Sequence, residues 1–179
     1  MSHHAATDFV PLNIAVLTVS DTRTLATDDS GQTLVERLQA AGHQLADRQL
    51  LADDIYLLRA QVSRWIADPT IQVVLLTGGT GFTARDHTPE AISPLLDKVM
   101  DGFGELFRQV SWHDIGTSTL QSRALAGLAN HTLIFCLPGS PGACRTGWDE
   151  ILAAQLDART RPCNAVPHVL SAAACGTRA

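Results

Sequence analysis

The chain has 179 residues, 45% hydrophobic and 17% charged, with a formal net charge of −5. That length suits one domain burying roughly 70% of its unfolded surface, and the composition is ordinary for a globular protein. The acidic balance and the single lysine, Lys98, with no basic cluster, argue against nucleic acid as a partner.

Residues 1–10 read as a flexible leader, 11–165 as one domain and 166–179 as a tail whose end is expected to be disordered. His3-His4 belongs to that leader rather than to a metal site. No basic region followed by an apolar core marks a secretory signal, and no apolar run approaches the ~18 residues of a membrane span. The cysteines at 136, 144, 163 and 175 form no C-x-x-C pair. Reduced thiols and a cytoplasmic location are therefore expected, with no zinc.

Leu12–Ser20 is apolar almost throughout and predicts a central strand. Asp29 or Ser30 can cap a helix from Gly31 to Ala41, with Leu34, Val35 and Leu38 inward and Gly42 as its stop. His43–Leu51 is more polar and predicts a strand near an edge. Asp53-Asp54 would cap a helix with the stripe Ile55, Leu58, Val62, Trp65 and Ile66, stopped by Pro69.

Residues 71–77 end in Val73-Val74-Leu75-Leu76-Thr77, a strand buried on both faces. Gly78-Gly79-Thr80-Gly81 follows, with three glycines in four positions. Such a turn leaves backbone N–H groups uncovered, which suits an anion, most often a phosphate. It is neither a dinucleotide fingerprint nor a P-loop, because no Lys-Ser or Lys-Thr follows the glycines. Thr88-Pro89 reads as an N-cap and first helical position, opening a helix to about Lys98. Asp86 stands out, since a carboxylate beside a phosphate cradle repels the ligand unless a cation such as Mg²⁺ lies between.

Glycines 102 and 104 bracket Phe103 before a helix carrying Leu106, Phe107 and Val110. Arg123–Leu128 reads as a short helix closed by Gly127 or Asn130. Thr132–Leu137 is another buried strand, Pro138–Gly142 its turn, and 143–156 a helix with Trp148, Ile151, Leu152 and Leu156. Alternating strands and helices predict an α/β fold: a three-layer, doubly wound, mostly parallel sheet with helices on both faces. In such a sheet, ligands gather at the carboxyl ends of the strands. There Ser20-Asp21, Asp53-Asp54, the 78–86 loop and the 137–142 turn would converge.

Thr77-Gly-Gly-Thr-Gly81 with Arg85-Asp86-x-Thr88-Pro89-Glu90-Ala91 resembles the molybdopterin-binding domain family of molybdenum cofactor biosynthesis. Leu17–Asp21, Gly102–Glu105, Ser122–Gly127 and Leu137–Pro141 agree in order, so the resemblance spans about residues 12–165. Gly116–Arg123 and Gln155–Asn164 look like the MoaB branch.

The resemblance implies Mg²⁺-dependent adenylylation of molybdopterin by ATP, giving adenylyl-molybdopterin and pyrophosphate. Asp53 and Asp86 match the catalytic acidic pair and would hold the metal. On residue type alone, Asp53 reads as a helix cap. Thr77, Gly78, Gly79, Thr80, Gly81, Arg85, Gly139 and Ser140 would bind nucleotide and phosphate. Ser118, Ser122 and Arg123 would bind the pterin, although Ser122 reads equally as a cap and Arg123 as a surface ion pair. The attacking phosphate is already largely ionised near neutral pH, so no nucleophilic triad is needed.

The resemblance further implies a homotrimer or homohexamer. Two departures bear on it. Gly142 stands where the family often has a lysine or similar polar residue, and some MoaB-branch members have an altered acidic pair, which this chain retains. The alternative on the same scaffold is a non-catalytic molybdopterin-binding or assembly protein. A phosphate-metabolite hydrolase is disfavoured, since no residue is evident to activate water.

Overall fold

The computed structural model describes residues 8–170, so the ends of the expected leader and tail lie outside the described residues. The 12–20, 71–77 and 132–137 runs form β1 (Asn13–Val19), β3 (Val73–Thr77) and β6 (Thr132–Leu137). These are mutually parallel and almost wholly buried, as their unbroken apolar character requires. β2 (Gln44–Leu51) lies parallel to β1 at one edge. β5 (Leu125–Ala129) and β4 (Lys98–Val99) complete the other, giving the order β2-β1-β3-β6-β5-β4. The chain runs from β1 outward to β2 and then crosses back to β3. A topological switch point thus falls between β1 and β3.

Alternate strand residues feed two separate cores. Ile14 and Val16, Val73 and Leu75, and Leu133 and Phe135 face one side. There they meet α1 (Asp29–Ala40) through Leu34 and Leu38, and α4 (Asp101–Ile115) through Phe103 and Phe107. α5 (Pro141–Gly147) joins them and continues through a π turn (Trp148–Leu152) into α6 (Ala153–Gln155). Ala15 and Leu17, Val74 and Leu76, and Ile134 and Cys136 face the other side. That side is covered by Leu58, Val62 and Trp65 of α2 (Ile55–Ala67) and by Ala91 and Ile92 of α3 (Thr88–Ile92). The three-layer architecture is as expected. Packing runs past residue 165, because Val166 and Val169 are buried in the first core. Among the described residues, no helix is long and apolar enough to cross a membrane.

Several local expectations are corrected. Residues 123–128 are not a helix, because Asn130 and His131, both at positive φ (43° and 68°), turn the chain back as a hairpin. Asn tolerates that left-handed conformation, so β5 pairs antiparallel to β6. The helix expected from Pro89 to Lys98 stops at Ile92, and Lys98-Val99 pairs with β5. Gly102 and Gly104 lie inside α4. A Cβ on Gly104 would stand 2.6 Å from the Ala124 carbonyl, so only glycine lets the helix sit this close to the chain entering β5. α1 is capped by Asp28, whose carboxylate accepts from the Gly31 N–H at 2.9 Å, rather than by Asp29 or Ser30.

His43 closes the bottom of the first core. Its Nδ1 accepts the Leu12 N–H at 3.2 Å, and its ring lies 5.0 Å from Phe9 and 6.2 Å from Trp148. Burial holds its pKa below the ordinary histidine value, partly opposed by the charge of Asp157. The unfolded chain therefore binds this proton more readily than the native state, and stability falls as pH drops through the unfolded value of about 6.5. We expect Tm to fall between pH 7.5 and 5.5, and the fall to be smaller in His43→Gln. An equal fall in both proteins would assign the effect elsewhere.

Candidate functional site

A cavity of about 520 Å³ opens at the carboxyl ends of β1, β3 and β6, beside the switch point. Thr77–Gly81 forms one wall, Pro138–Ser140 a second, and the inner face of α4 with Ser118 and Ser122 a third. Glycine is required where these walls touch. Gly78 has φ +107°, and a Cβ there would meet the Val19 carbonyl at 2.2 Å. A Cβ on Gly139 would lie 3.1 Å from Gly78 Cα, so the two turns pack backbone to backbone.

The glycine-rich loop is held from behind. Thr88 is not an N-cap, since His87 occupies that position. Its hydroxyl instead donates to the Gly78 carbonyl at 2.8 Å, and its N–H donates to the Gly79 carbonyl at 2.9 Å. Thr77 Oγ1 donates to the Pro138 carbonyl at 2.9 Å, tying the loop to the second wall. The Gly78 N–H is spent on the Leu137 carbonyl at 3.0 Å, and the Gly81 N–H is directed at the Asp86 carboxylate. Among the described residues, the Gly79 and Thr80 N–H groups have no protein acceptor. The cradle for an anion thus narrows from four N–H groups to these two.

Asp86 lines the cavity. Its Oδ2 accepts from the Thr83 N–H at 2.8 Å and the Thr83 hydroxyl at 2.6 Å. Partial burial alone would raise its pKa, but these bonds, the Gly81 N–H and the charge of Arg123 together hold it below the ordinary carboxylate value. It is ionised at neutral pH.

The Asp53-Asp54 pair divides its labour. Asp54 caps α2 by accepting from the Tyr56 and Leu57 N–H groups at 2.8 and 2.9 Å. That frees Asp53, whose carboxylate accepts the His87 N–H at 3.1 and 3.3 Å. Asp53 does not line the cavity but lies behind Gly79, where a Cβ would come within 2.5 Å of its Oδ2. Burial raises its pKa, the bonds from His87 lower it, and the neighbouring charge of Asp86 adds to the rise. Any side chain at position 79 would therefore displace this carboxylate.

The two arginines are already engaged. Arg85 reaches across to Asp21 at 2.5 Å, and Asp21 also accepts the Asp53 N–H at 3.1 Å. Arg123 donates from Nε to the Gly81 carbonyl at 2.8 Å, from Nη2 to the Asp86 carbonyl at 2.8 Å, and from Nη1 to Glu90. It holds the loop in shape from outside the cavity. Ser118 and Ser122 do line the cavity, and Ser122 Oγ is buried with no hydrogen-bond partner. Ser140 lines it too and caps α5 by accepting the Ala143 N–H at 3.1 Å. Gly139 lines it as well, and its carbonyl accepts from Ser30 Oγ at 2.9 Å.

The sequence reading missed Thr18, Arg23, Ser30, Ser111, Asp114 and Thr146, which also line the cavity. A signal existed for two of them. Phe107, Ser111, Asp114 and Ile115 fall at helical spacing on one face of α4, and the polar members interrupt an otherwise apolar stripe.

The carboxylates can be tested against Mg²⁺. Among the described residues, no cluster of three or more metal-ligating side chains exists, so no all-protein cage is available. Both Thr83 bonds fall on Asp86 Oδ2, and the carboxylate lines the cavity wall. Magnesium is usually held by one or two carboxylates together with phosphate oxygens and water. Asp86 fits that mode at the cavity wall, whereas Asp53, expected to hold the same metal, stands behind Gly79 and outside the cavity lining.

Residues 15–158 match the family described as "Probable molybdopterin binding domain". The chain is 56% identical over 164 residues to molybdenum cofactor biosynthesis protein B of Escherichia coli strain K12, covering 92% of this chain and 96% of that protein. A crystal structure of a molybdenum cofactor biosynthesis protein B superposes with a TM-score of 0.80 at 41% identity, over 82% of this chain and 92% of that one. The tungsten cofactor synthesizing protein MoaB from Pyrococcus furiosus superposes with a TM-score of 0.72 at 34% identity, covering 80% and 91%. On this sequence and fold, the chain belongs to the molybdopterin-binding domain family, in the branch of molybdenum cofactor biosynthesis protein B.

Proposed function

We propose that the protein acts in molybdenum cofactor biosynthesis by adenylylating molybdopterin with ATP, releasing pyrophosphate. The observation that carries this reading is the juxtaposition in one cavity wall of free N–H groups at Gly79 and Thr80 with the ionised carboxylate of Asp86. An anion cradle beside a fixed negative charge makes sense when a divalent cation joins the two. Bound there, Mg²⁺ would neutralise charge on the departing pyrophosphate.

The protein's own part is alignment. Gly79 and Thr80 donate to phosphate oxygens of the nucleotide, and the rigid backing from Thr88 and Arg123 fixes their direction before the ligand arrives. Arg85 reaches the phosphates by exchanging Asp21 for them. Ser122 supplies an unpaired buried hydroxyl on the opposite wall, and such a group is stabilised by about 1–3 kcal/mol when a polar ligand satisfies it. With Ser118, it suits the polar edge of a pterin. The phosphate of molybdopterin is the nucleophile and needs no base.

The test is mass spectrometry of molybdopterin incubated with the protein, ATP and Mg²⁺. Adenylyl-molybdopterin and stoichiometric pyrophosphate are expected. Tight molybdopterin binding with no product would instead establish a non-catalytic binding protein.

We also propose assembly as a homotrimer or homohexamer. Trp112 and Ile115 on α4 and Leu120 just after it are 53%, 53% and 75% exposed, an apolar face that a second copy would cover. Light scattering at micromolar concentration should report three or six subunits, and a monomer would refute this assembly.

A further inference from the structure

Phe82 follows Gly81 directly and is 69% exposed, an unusual position for a large apolar ring on a loop so firmly tied down. One of its faces is occupied, because the Arg123 guanidinium lies over it in a cation–π contact, with Cζ 5.3 Å from the ring centroid. That guanidinium cannot swing away easily, since it holds the Thr80, Gly81 and Asp86 carbonyls and the Glu90 carboxylate at once. The ring is therefore backed by a fixed cation; it does not itself line the cavity, but Gly81 just before it and Asp86 four residues on both do.

From these observations we infer that Phe82 is a stacking platform for the planar nitrogen heterocycle of a phosphorylated ligand. This rests on the reading of the cavity as a nucleotide and pterin site. Phe82 lies two residues beyond Thr80, a chain reach of at most about 7 Å. That reach is comparable with the ribose separating a base from its phosphate. A phosphate on the Gly79 and Thr80 N–H groups would thus place its heterocycle within range of the open face of the ring. Stacking of this kind tolerates any flat heterocycle, because each presents a π face. A ring already held by Arg123 loses little freedom on binding, so more of the contact survives as affinity.

Two sources could supply the heterocycle, the adenine of ATP or the ring of a pterin phosphate, and the probes separate them. Affinities of ATP, inorganic triphosphate and neopterin phosphate would be measured for the wild type, Phe82→Ala and Phe82→Trp. Base stacking lost on alanine substitution corresponds to about tenfold weaker binding or more. If adenine stacks there, Phe82→Ala weakens ATP by that factor, and Phe82→Trp restores the affinity with its fluorescence quenched by ATP. If the pterin stacks there, the same pattern appears with neopterin phosphate and ATP is unaffected.

Inorganic triphosphate, which has no ring, should bind all three proteins equally. Unchanged affinity for both heterocyclic probes in Phe82→Ala overturns the inference. A changed subunit number with unchanged affinities does so too, by assigning the ring to a protein contact. A wild-type protein that binds triphosphate but neither heterocycle refutes the platform and leaves the phosphate cradle standing. One that binds none of the three removes the reading on which the platform rests.

Discussion

Asp86→Asn is expected to abolish adenylylation while leaving the fold intact. The asparagine oxygen can still accept from the Thr83 N–H and hydroxyl that now bind Oδ2 at 2.8 and 2.6 Å, so the loop keeps its shape. What disappears is the charge, which the wild type carries fully at neutral pH because those bonds, the Gly81 N–H and Arg123 outweigh the effect of partial burial. The sign of the effect on ATP binding is diagnostic. Without a metal, a carboxylate about 4 Å from a phosphate repels it by roughly 4 kcal/mol near a protein surface. Asn would then bind ATP more tightly than the wild type. With Mg²⁺ between them, Asn should bind ATP more weakly in a metal-dependent manner. The rate should fall by about a hundredfold or more, the usual scale for one electrostatic group at a reacting phosphate. Full turnover in Asp86→Asn would refute the catalytic assignment.

Asp53→Asn should act in the same direction but less steeply, because Asp53 stands behind Gly79 rather than in the cavity wall. The double variant should cost less than the sum of the two if both charges serve one cation. A cost equal to the sum would show two independent roles. Binding of ATP with and without Mg²⁺, and adenylylated product, measured for all three variants, separates these cases.

The parts of the fold legible in the sequence were those where one local rule acts alone. The strands β1, β3 and β6 are apolar at every buried position but Thr18, Thr77 and Thr132, and nothing else in the chain competes for that pattern. The glycine-rich loop was legible because only glycine can hold φ at +107° with the Val19 carbonyl 2.2 Å from its Cβ position. β5 was not legible. Leu125-Ala-Gly-Leu-Ala129 has helical residues and an early glycine, and the strand forms because an Asn130-His131 turn folds it onto β6. That pairing is a tertiary fact, stronger than local propensity. The division of Asp53 from Asp54 was legible only as an ambiguity. One residue suffices to cap α2, and only the structure shows which one is left over and that it turns toward His87. The added roles of Arg85 and Arg123 were illegible for the same reason, since both act on chain segments far away in sequence.

Asp28→Ala is expected to be the most destabilising single change close to the site. Its carboxylate is fully buried and accepts from three directions: Thr18 Oγ1 at 2.7 Å, the Gly31 N–H at 2.9 Å and Arg48 Nη2 at 3.0 Å. Alanine removes the α1 cap, leaves the Thr18 hydroxyl without its acceptor, and leaves a guanidinium that is only 18% exposed with the Gln32 amide oxygen and the residue-28 carbonyl but no counter-charge. Breaking a buried ion pair from one side costs about 3–5 kcal/mol, because the remaining charge is uncompensated. For a domain of this size that lowers Tm by roughly 6–20 °C. Asp28→Asn keeps an acceptor for Gly31 and Thr18 but still strands Arg48. Adding Arg48→Met removes the stranded charge. If the charge is the main cost, Asp28→Asn with Arg48→Met should be clearly more stable than Asp28→Asn alone. If the cap and the Thr18 bond dominate, the second change should bring no recovery, and Asp28→Asn should already be close to wild type. Ligand affinity should follow stability through this series, since Thr18 and Ser30, on either side of Asp28, both line the cavity. A fully stable Asp28→Ala protein would refute the buried network as the support of this wall.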